Sequence, residues 1–200
     1  MMQVALVDAG GANIGSVLFA LQRLGVEAAL TADARVICAA DRVILPGVST
    51  AAMVMGRLHA LGLVETLRTL ENPLLGVCVG MQLLYESSEE GDVECLGLLP
   101  GRVAKLAVSP AIRVPHMGWN TLQPLRSSAL VEGIGPLDQA YFVHSYAAPV
   151  TADCVLASDH GQAFAAVVQR GRVAGAQFHP ERSASVGARL LRNFLGSGLA

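Results

Sequence analysis

Three short runs early in the chain, Val4 to Val7, Val43 to Leu45 and Leu74 to Val77, carry no polar side chain. Successive side chains of a strand point to opposite faces, so a strand that is apolar throughout must be covered on both. Turn-forming residues punctuate these runs. Asp8 closes the first, with Gly10, Gly11 and Gly15 behind it; Pro46-Gly47 closes the second; Asn72-Pro73 opens the third. Between them the apolar residues take helical spacing. From Ile14 onward, Val17, Leu18, Leu21 and Leu24 share one face, and Gly25 stands where a C-capping glycine belongs. Val64 to Leu70 and Gly80 to Tyr85 also read as helices. Doubly buried strands alternating with helices predict a parallel sheet with helices on either side.

After about Gly91 the pattern changes to successive β-rich runs: Gly101 to Ala107, Trp119 to Gln123, Tyr141 to Tyr146, Gln162 to Gln169 and Arg172 to Phe178. Gln169-Arg170-Gly171-Arg172 reads as a hairpin turn. A terminal helix from about Ser183 to Leu195 carries Val186, Leu190, Leu191 and Phe194 on one side. With no repeat, low-complexity segment or long linker, residues 1–200 are expected to form a single α/β domain with an antiparallel β addition.

Composition excludes several classes. At 52% hydrophobic and 15% charged residues the chain is not a disordered segment. Fourteen basic residues stand against sixteen acidic ones, and no like-charge block exceeds Glu89-Glu90, so nucleic acid is not an expected partner. No apolar run approaches the ~18 residues of a membrane span, and the N-terminus lacks the basic start of an export signal, so the chain is expected in the cytoplasm. The four cysteines form no CxxC pair, and His59, His116, His144 and His160 show no ligand spacing, so no metal is expected.

Two segments carry chemistry. Gly76-Val77-Cys78-Val79-Gly80 lies where an apolar run turns into a helix, with the spacing of a nucleophile elbow: a side chain raised at the apex of a sharp strand-to-helix turn leaves no room for Cβ atoms two residues away. A lone cysteine is ordinarily a small buried core residue, and Cys78 taken by itself leaves that reading open. Gln177-Phe178-His179-Pro180-Glu181 ends the last predicted strand. Proline favours an extended His179, so Glu181, two positions on, can face the imidazole and orient it as a general base. An isolated H-P-E could equally be a solvated turn. Both segments follow apolar strands at the ends where open parallel sheets bind ligands.

At these residues the sequence resembles the class I, or triad, glutamine amidotransferases. Pro115-His116-Met117-Gly118-Trp119-Asn120 and Tyr141-Phe142-Val143-His144-Ser145-Tyr146 are similar to runs in the branch that supplies glutaminase subunits to imidazole glycerol phosphate synthases. The resemblance implies a flavodoxin-like three-layer α/β/α fold and a separate cyclase subunit as partner, with L-glutamine as substrate and no cofactor. It implies Cys78 as nucleophile, His179 as base and Glu181 as orienting carboxylate. Val79 and the Gly47-Val48 segment would supply the oxyanion site. Gln82, Glu90, Ser145 and Tyr146 would hold substrate, and Asn13, Trp119, Tyr141 and Arg182 would face the cyclase and the ammonia gate. Ala12 and Ser49 depart from the family's D-x-G-x-G-N and P-G-V-G patterns. Two rivals are the glutaminase of pyridoxal phosphate synthase, which would carry a G-G-E-S-T-like stretch where this chain has Pro46-Gly47-Val48-Ser49-Thr50, and a silent flavodoxin-like regulatory subunit.

Overall fold

In the computed structural model, which describes residues 2–10, 14–110 and 112–196, apolar strands and helices alternate from the N-terminus. The order is β1 (Val4–Val7), α1 (Ile14–Arg23), β2 (Ala28–Thr31), α2 (Ala34–Ala39), β3 (Arg42–Gly47), α3 (Ala51–Ala60), α4 (Val64–Arg68), β4 (Leu74–Cys78) and α5 (Val79–Gln82). Shorter strands follow: β5 (Ser87–Ser88), β6 (Val93–Glu94), β7 (Arg102–Lys105), β8 (His116–Thr121), β9 (Gln123–Pro124), β10 (Gln139–His144) and β11 (Tyr146–Ala147). The chain closes with β12 (Cys154–Asp159), β13 (Ala163–Arg170), β14 (Val173–Ala176) and α6 (Ala184–Gly196).

The main sheet runs β2-β1-β3-β4-β14-β13-β12-β9. Its first five strands are parallel, in the doubly wound order of flavodoxin-like folds, and the last three are antiparallel. The antiparallel addition is therefore fused to the same sheet, and β14 joins the two halves, parallel to β4 and antiparallel to β13. Every residue of β1 and β4 is buried, as two covered faces demand.

Several elements lie outside the sequence expectations. Among the described residues, edge strand β2 pairs only with β1, and its small, partly exposed Ala-Ala-Leu-Thr gives no strand signal. Helix α3 starts at an N-capping Thr50 whose side chain accepts from the Met53 N–H, and the Cys-Val-Leu-Ala run of β12 is fully buried. The helix expected over Gly80 to Tyr85 ends at Gln82. Two predicted strands are split. The first becomes β8, paired with β10, and β9, paired with β12; the second becomes β10 and β11, which pairs with β7. Leu122 and Ser145 mark the points where the chain changes sheets.

The terminal helix buries Val186, Leu190, Leu191 and Phe194 as its periodicity predicts, and it also buries Gly187. A Cβ at Gly187 would lie 1.8 Å from the Pro180 carbonyl oxygen, so only glycine lets α6 rest against the turn that follows β14. Gly187→Ala should lower the unfolding free energy by about 1–3 kcal/mol. The urea midpoint checks this, and an unchanged midpoint would mean that α6 lifts from Pro180 without cost.

Candidate active site

Cys78 ends β4 with φ 55° and ψ −115°, a left-handed conformation that an L-residue keeps only when its surroundings enforce it. The enforcing contacts are backbone to backbone. A Cβ at Gly80 would sit 1.9 Å from the Leu45 carbonyl oxygen, and one at Gly76 would sit 2.5 Å from that of Gly80. Strands β3 and β4 and the first turn of α5 are thus pressed together around the cysteine. Its side chain borders a cavity of about 180 Å³ whose wall includes Ser49, Val79, Gln82, Glu90, Ser145 and Tyr146. Gly47 is in register with Cys78 across β3 and β4, which sets Gly47 and Val48 beside the sulfur's strand end.

His179 arrives from the neighbouring strand. Ala176 of β14 pairs with Val77 of β4, so the segment that follows each strand emerges on the same side. The His179 backbone N–H donates to the Tyr141 carbonyl at 3.0 Å, and the Ser183 hydroxyl donates to the His179 carbonyl at 2.7 Å. Ser183 in turn accepts from the Tyr141 N–H at 2.9 Å. This fully buried serine was not singled out in the sequence, where only its position just after H-P-E-R could have marked it.

Glu181 reaches the ring by a different route from the one expected. His179 is extended, but Pro180–Arg182 form a 3-10 turn because proline is preset for the first helical position. The turn folds the carboxylate back, and the His179 Nδ1–H donates to Glu181 Oε1 at 2.8 Å, leaving Nε2 for the sulfur. Burial opposes a charge on this imidazole. Hydrogen bonds with the Cys78 sulfur and the Glu181 carboxylate, together with the charges of those groups, outweigh burial and push its pKa up to about 10. A sulfur nucleophile beside a charged, carboxylate-oriented imidazole can attack a carbonyl carbon and protonate the leaving group. By contrast, burial pushes the Cys95 and Cys154 thiols up to about 11, as for inert core cysteines.

Gln82 is almost fully buried. Its Nε2 donates to the Tyr146 carbonyl at 2.8 Å and to Gln177 Oε1 at 3.0 Å, while its Oε1 has no partner among the described residues. Gln177, another residue given no role from sequence, directs its Nε2 to the Cys78 Sγ at 3.9 Å. Glu90 Oε2 accepts from the Ala51 N–H at 2.8 Å, so this carboxylate also ties the acidic loop to the start of α3. Outside the cavity, Trp119 and Tyr141 face each other across β8 and β10 with ring centroids 6.0 Å apart, and the Arg182 guanidinium lies 5.7 Å from the Tyr141 ring. Trp119 is 51% exposed. Asn13 lies outside the described residues. Among the described residues no three His, Cys, Asp or Glu side chains group as a metal site, and no helix is long and apolar enough to cross a membrane.

Residues 5–197 match the family described as Glutamine amidotransferase class-I. A curated protein of Xanthomonas axonopodis pv. citri, named imidazole glycerol phosphate synthase subunit HisH, is 64% identical over 98% of both chains. Its namesake from Xylella fastidiosa strain Temecula1 is 63% identical over the same shares. Among solved structures, a glutamine amidotransferase crystal structure aligns over 96% of each chain with TM-score 0.75 at 22% identity. The glutaminase domain of Trypanosoma brucei CTPS aligns over 97% of this chain and 94% of its own with TM-score 0.64 at 15% identity. These two likenesses speak to the fold.

A pKa raised from 6.5 to about 10 makes the His179 charge a stabilising one, fully effective below pH 6.5 and lost as pH climbs through about 10. The stability advantage of the wild type over His179→Asn should therefore be larger at pH 6 than at pH 9. Urea midpoints of the two proteins measure it; a gap that stays constant would show that the imidazole is not held charged.

Proposed function

The chain belongs to the class-I glutamine amidotransferase family, and from that premise we propose that it is the glutaminase subunit of an imidazole glycerol phosphate synthase. The observation that carries the reading is 64% identity across 98% of both chains with a subunit of that name. The hydrogen bonding of His179 to both the Glu181 carboxylate and the sulfur of Cys78, which lines the cavity, supports the chemistry.

In this reading the Cys78 sulfur attacks the side-chain carboxamide carbon of L-glutamine. The carbonyl π electrons move to oxygen, and the backbone N–H of Val79, with one from the Gly47-Val48 segment, stabilises the oxyanion. As the tetrahedral centre collapses, the C–N bond breaks and the His179 imidazolium gives its proton to the departing nitrogen, releasing ammonia and a γ-glutamyl thioester. His179, now neutral, takes a proton from water, which attacks the thioester and releases glutamate. Glu181 keeps the same ring nitrogen facing the sulfur throughout. None of these steps consumes a cofactor.

Gln82, Glu90, Ser145 and Tyr146 would orient the amino-acid end of the substrate, the unpartnered Gln82 Oε1 being an acceptor for its ammonium group. Ammonia released into bulk water would mostly be protonated and cease to be a nucleophile. The subunit therefore works against a separate cyclase subunit that receives ammonia directly and forms imidazole glycerol phosphate and aminoimidazole carboxamide ribotide in histidine biosynthesis. Asn13 and the Trp119, Tyr141 and Arg182 ladder would meet that partner. The pair would operate in the cytoplasm.

Cys78→Ala in the assembled complex should reduce glutamine-dependent synthesis by at least about a thousandfold, since removing the nucleophile of a triad removes most of its catalysis. Synthesis from added ammonium should persist. Parallel assays with the two nitrogen sources test this, and loss of both with assembly intact would refute the division of labour.

A further inference from the structure

Three histidines with no common spacing in the sequence meet in the fold. His116 and His144 lie opposite one another on β8 and β10, both buried, with His116 Nδ1 2.9 Å from His144 Nε2. His144 Nδ1 is 2.9 Å from the Tyr146 carbonyl oxygen, and His116 Nε2 is 3.2 Å from Asn120 Nδ2. The His160 ring stacks on His116 at 4.1 Å, and Phe142 stacks on it at 5.0 Å.

The hydrogen positions follow by elimination. A carbonyl oxygen only accepts, so His144 must carry its hydrogen on Nδ1, and its Nε2 then accepts. His116 must therefore donate from Nδ1 and accept at Nε2. Asn120 supplies that hydrogen: its Oδ1 accepts from the Thr121 N–H at 2.8 Å, which turns Nδ2 toward His116 and toward the Asp159 carbonyl at 2.7 Å. Every bond thus points from Asn120 toward Tyr146. The Tyr146 carbonyl also receives Gln82 Nε2, and Gln82 Nε2 donates as well to Gln177 Oε1. With its nitrogen so engaged, Gln82, which lines the cavity, keeps a buried Oε1 that has no hydrogen-bond partner among the described residues.

We infer that Asn120, His116 and His144 are positioning residues for glutamine hydrolysis, an uncharged, one-directional chain that fixes the Tyr146 carbonyl and thereby holds Gln82 with its amide oxygen free for the substrate. The inference rests on the glutaminase reading of the cavity. A proton on either ring would break the chain, because His144 Nε2–H would oppose His116 Nδ1–H, and His116 Nε2–H would oppose the Asn120 amide. Both rings are kept neutral. Burial, with the nearby His160 charge, lowers His116 to about 4. Burial lowers His144 to about 3 against the opposing pull of the Tyr146 carbonyl, with repulsion from the neighbouring imidazoles acting in the same direction as burial.

Two measurements test the chain. In the intact subunit with ¹⁵N-labelled histidine at pH 7, His116 and His144 should both show the neutral Nδ1–H tautomer; an Nε2–H tautomer or an imidazolium at either position overturns the proposal. In the complex with the cyclase, His144→Phe keeps the ring volume but deletes the chain. It should raise the glutamine KM by about tenfold or more, with a smaller change in kcat and no change in ammonium-dependent synthesis. His144→Asn, whose Nδ2 can still donate to the Tyr146 carbonyl, should recover part of that KM. A space-filling role predicts the reverse order, with Asn more damaging than Phe, and that order would refute the positioning role. A wild-type complex that consumes no glutamine would defeat the functional reading itself, and the imidazole spectra would then still decide whether the chain exists.

Discussion

The rest of the structure depends on the backbone contact between the Leu45 carbonyl and Gly80, which permits no Cβ and holds Cys78 at φ 55°. A left-handed residue at the end of a strand costs about 1–3 kcal/mol, and it persists only where neighbours leave no alternative. Here β4 is paired in parallel on both sides, to β3 and to β14, so it cannot relax sideways. The same pairing decides what surrounds the sulfur. Strand β3 delivers Gly47 and Val48, β4 delivers Cys78 and Val79, and β14 leads into His179. Adjacent parallel strands end on the same side of a sheet, so three segments distant in sequence emerge together.

The second organising device is the antiparallel β8/β10 pair, which gives its two faces different tasks through the two-residue period of a strand. The outward residues Trp119 and Tyr141 pair as an exposed aromatic step, with Arg182 over the tyrosine. The inward residues His116 and His144 pair as a buried polar step, and Gly118 stands opposite the buried Phe142 in the same register. Tyr141 ties this strand pair to His179 through its backbone, which accepts from the His179 N–H and donates to Ser183. The proposed partner-facing surface and the proposed catalytic imidazole are therefore both tied to β10.

Charge is distributed with the same economy. The imidazole of His179 sits between a sulfur and a carboxylate that favour its protonated form. His144, close enough to feel that charge, has no carboxylate among its hydrogen-bond partners and remains neutral. Two buried histidines thus take opposite states because one is hydrogen-bonded to a carboxylate and a sulfur and the other to a carbonyl and a second ring.

Much of the parallel half was legible in the amino-acid order, since runs such as Val4 to Val7 and Leu74 to Val77 report their burial on both faces without reference to anything distant. The elbow was legible for a steric reason: Gly76 and Gly80 flank Cys78 because no other residue fits there. What stayed hidden depends on partners remote in the chain. Strand β2 has weak sequence character because it sits at an edge, and the 3-10 turn that brings Glu181 under His179 competes with an equally plausible extended path. Ser183, Gln177 and the three meeting histidines have unremarkable local contexts and acquire meaning only from what faces them. Local sterics and periodicity therefore determined the class of fold and the perch of Cys78, whereas the direction of each hydrogen bond and the charge on each imidazole were decided by tertiary structure. Those properties depend on which donors, acceptors and charges lie within a few ångströms, and only the folded chain sets that.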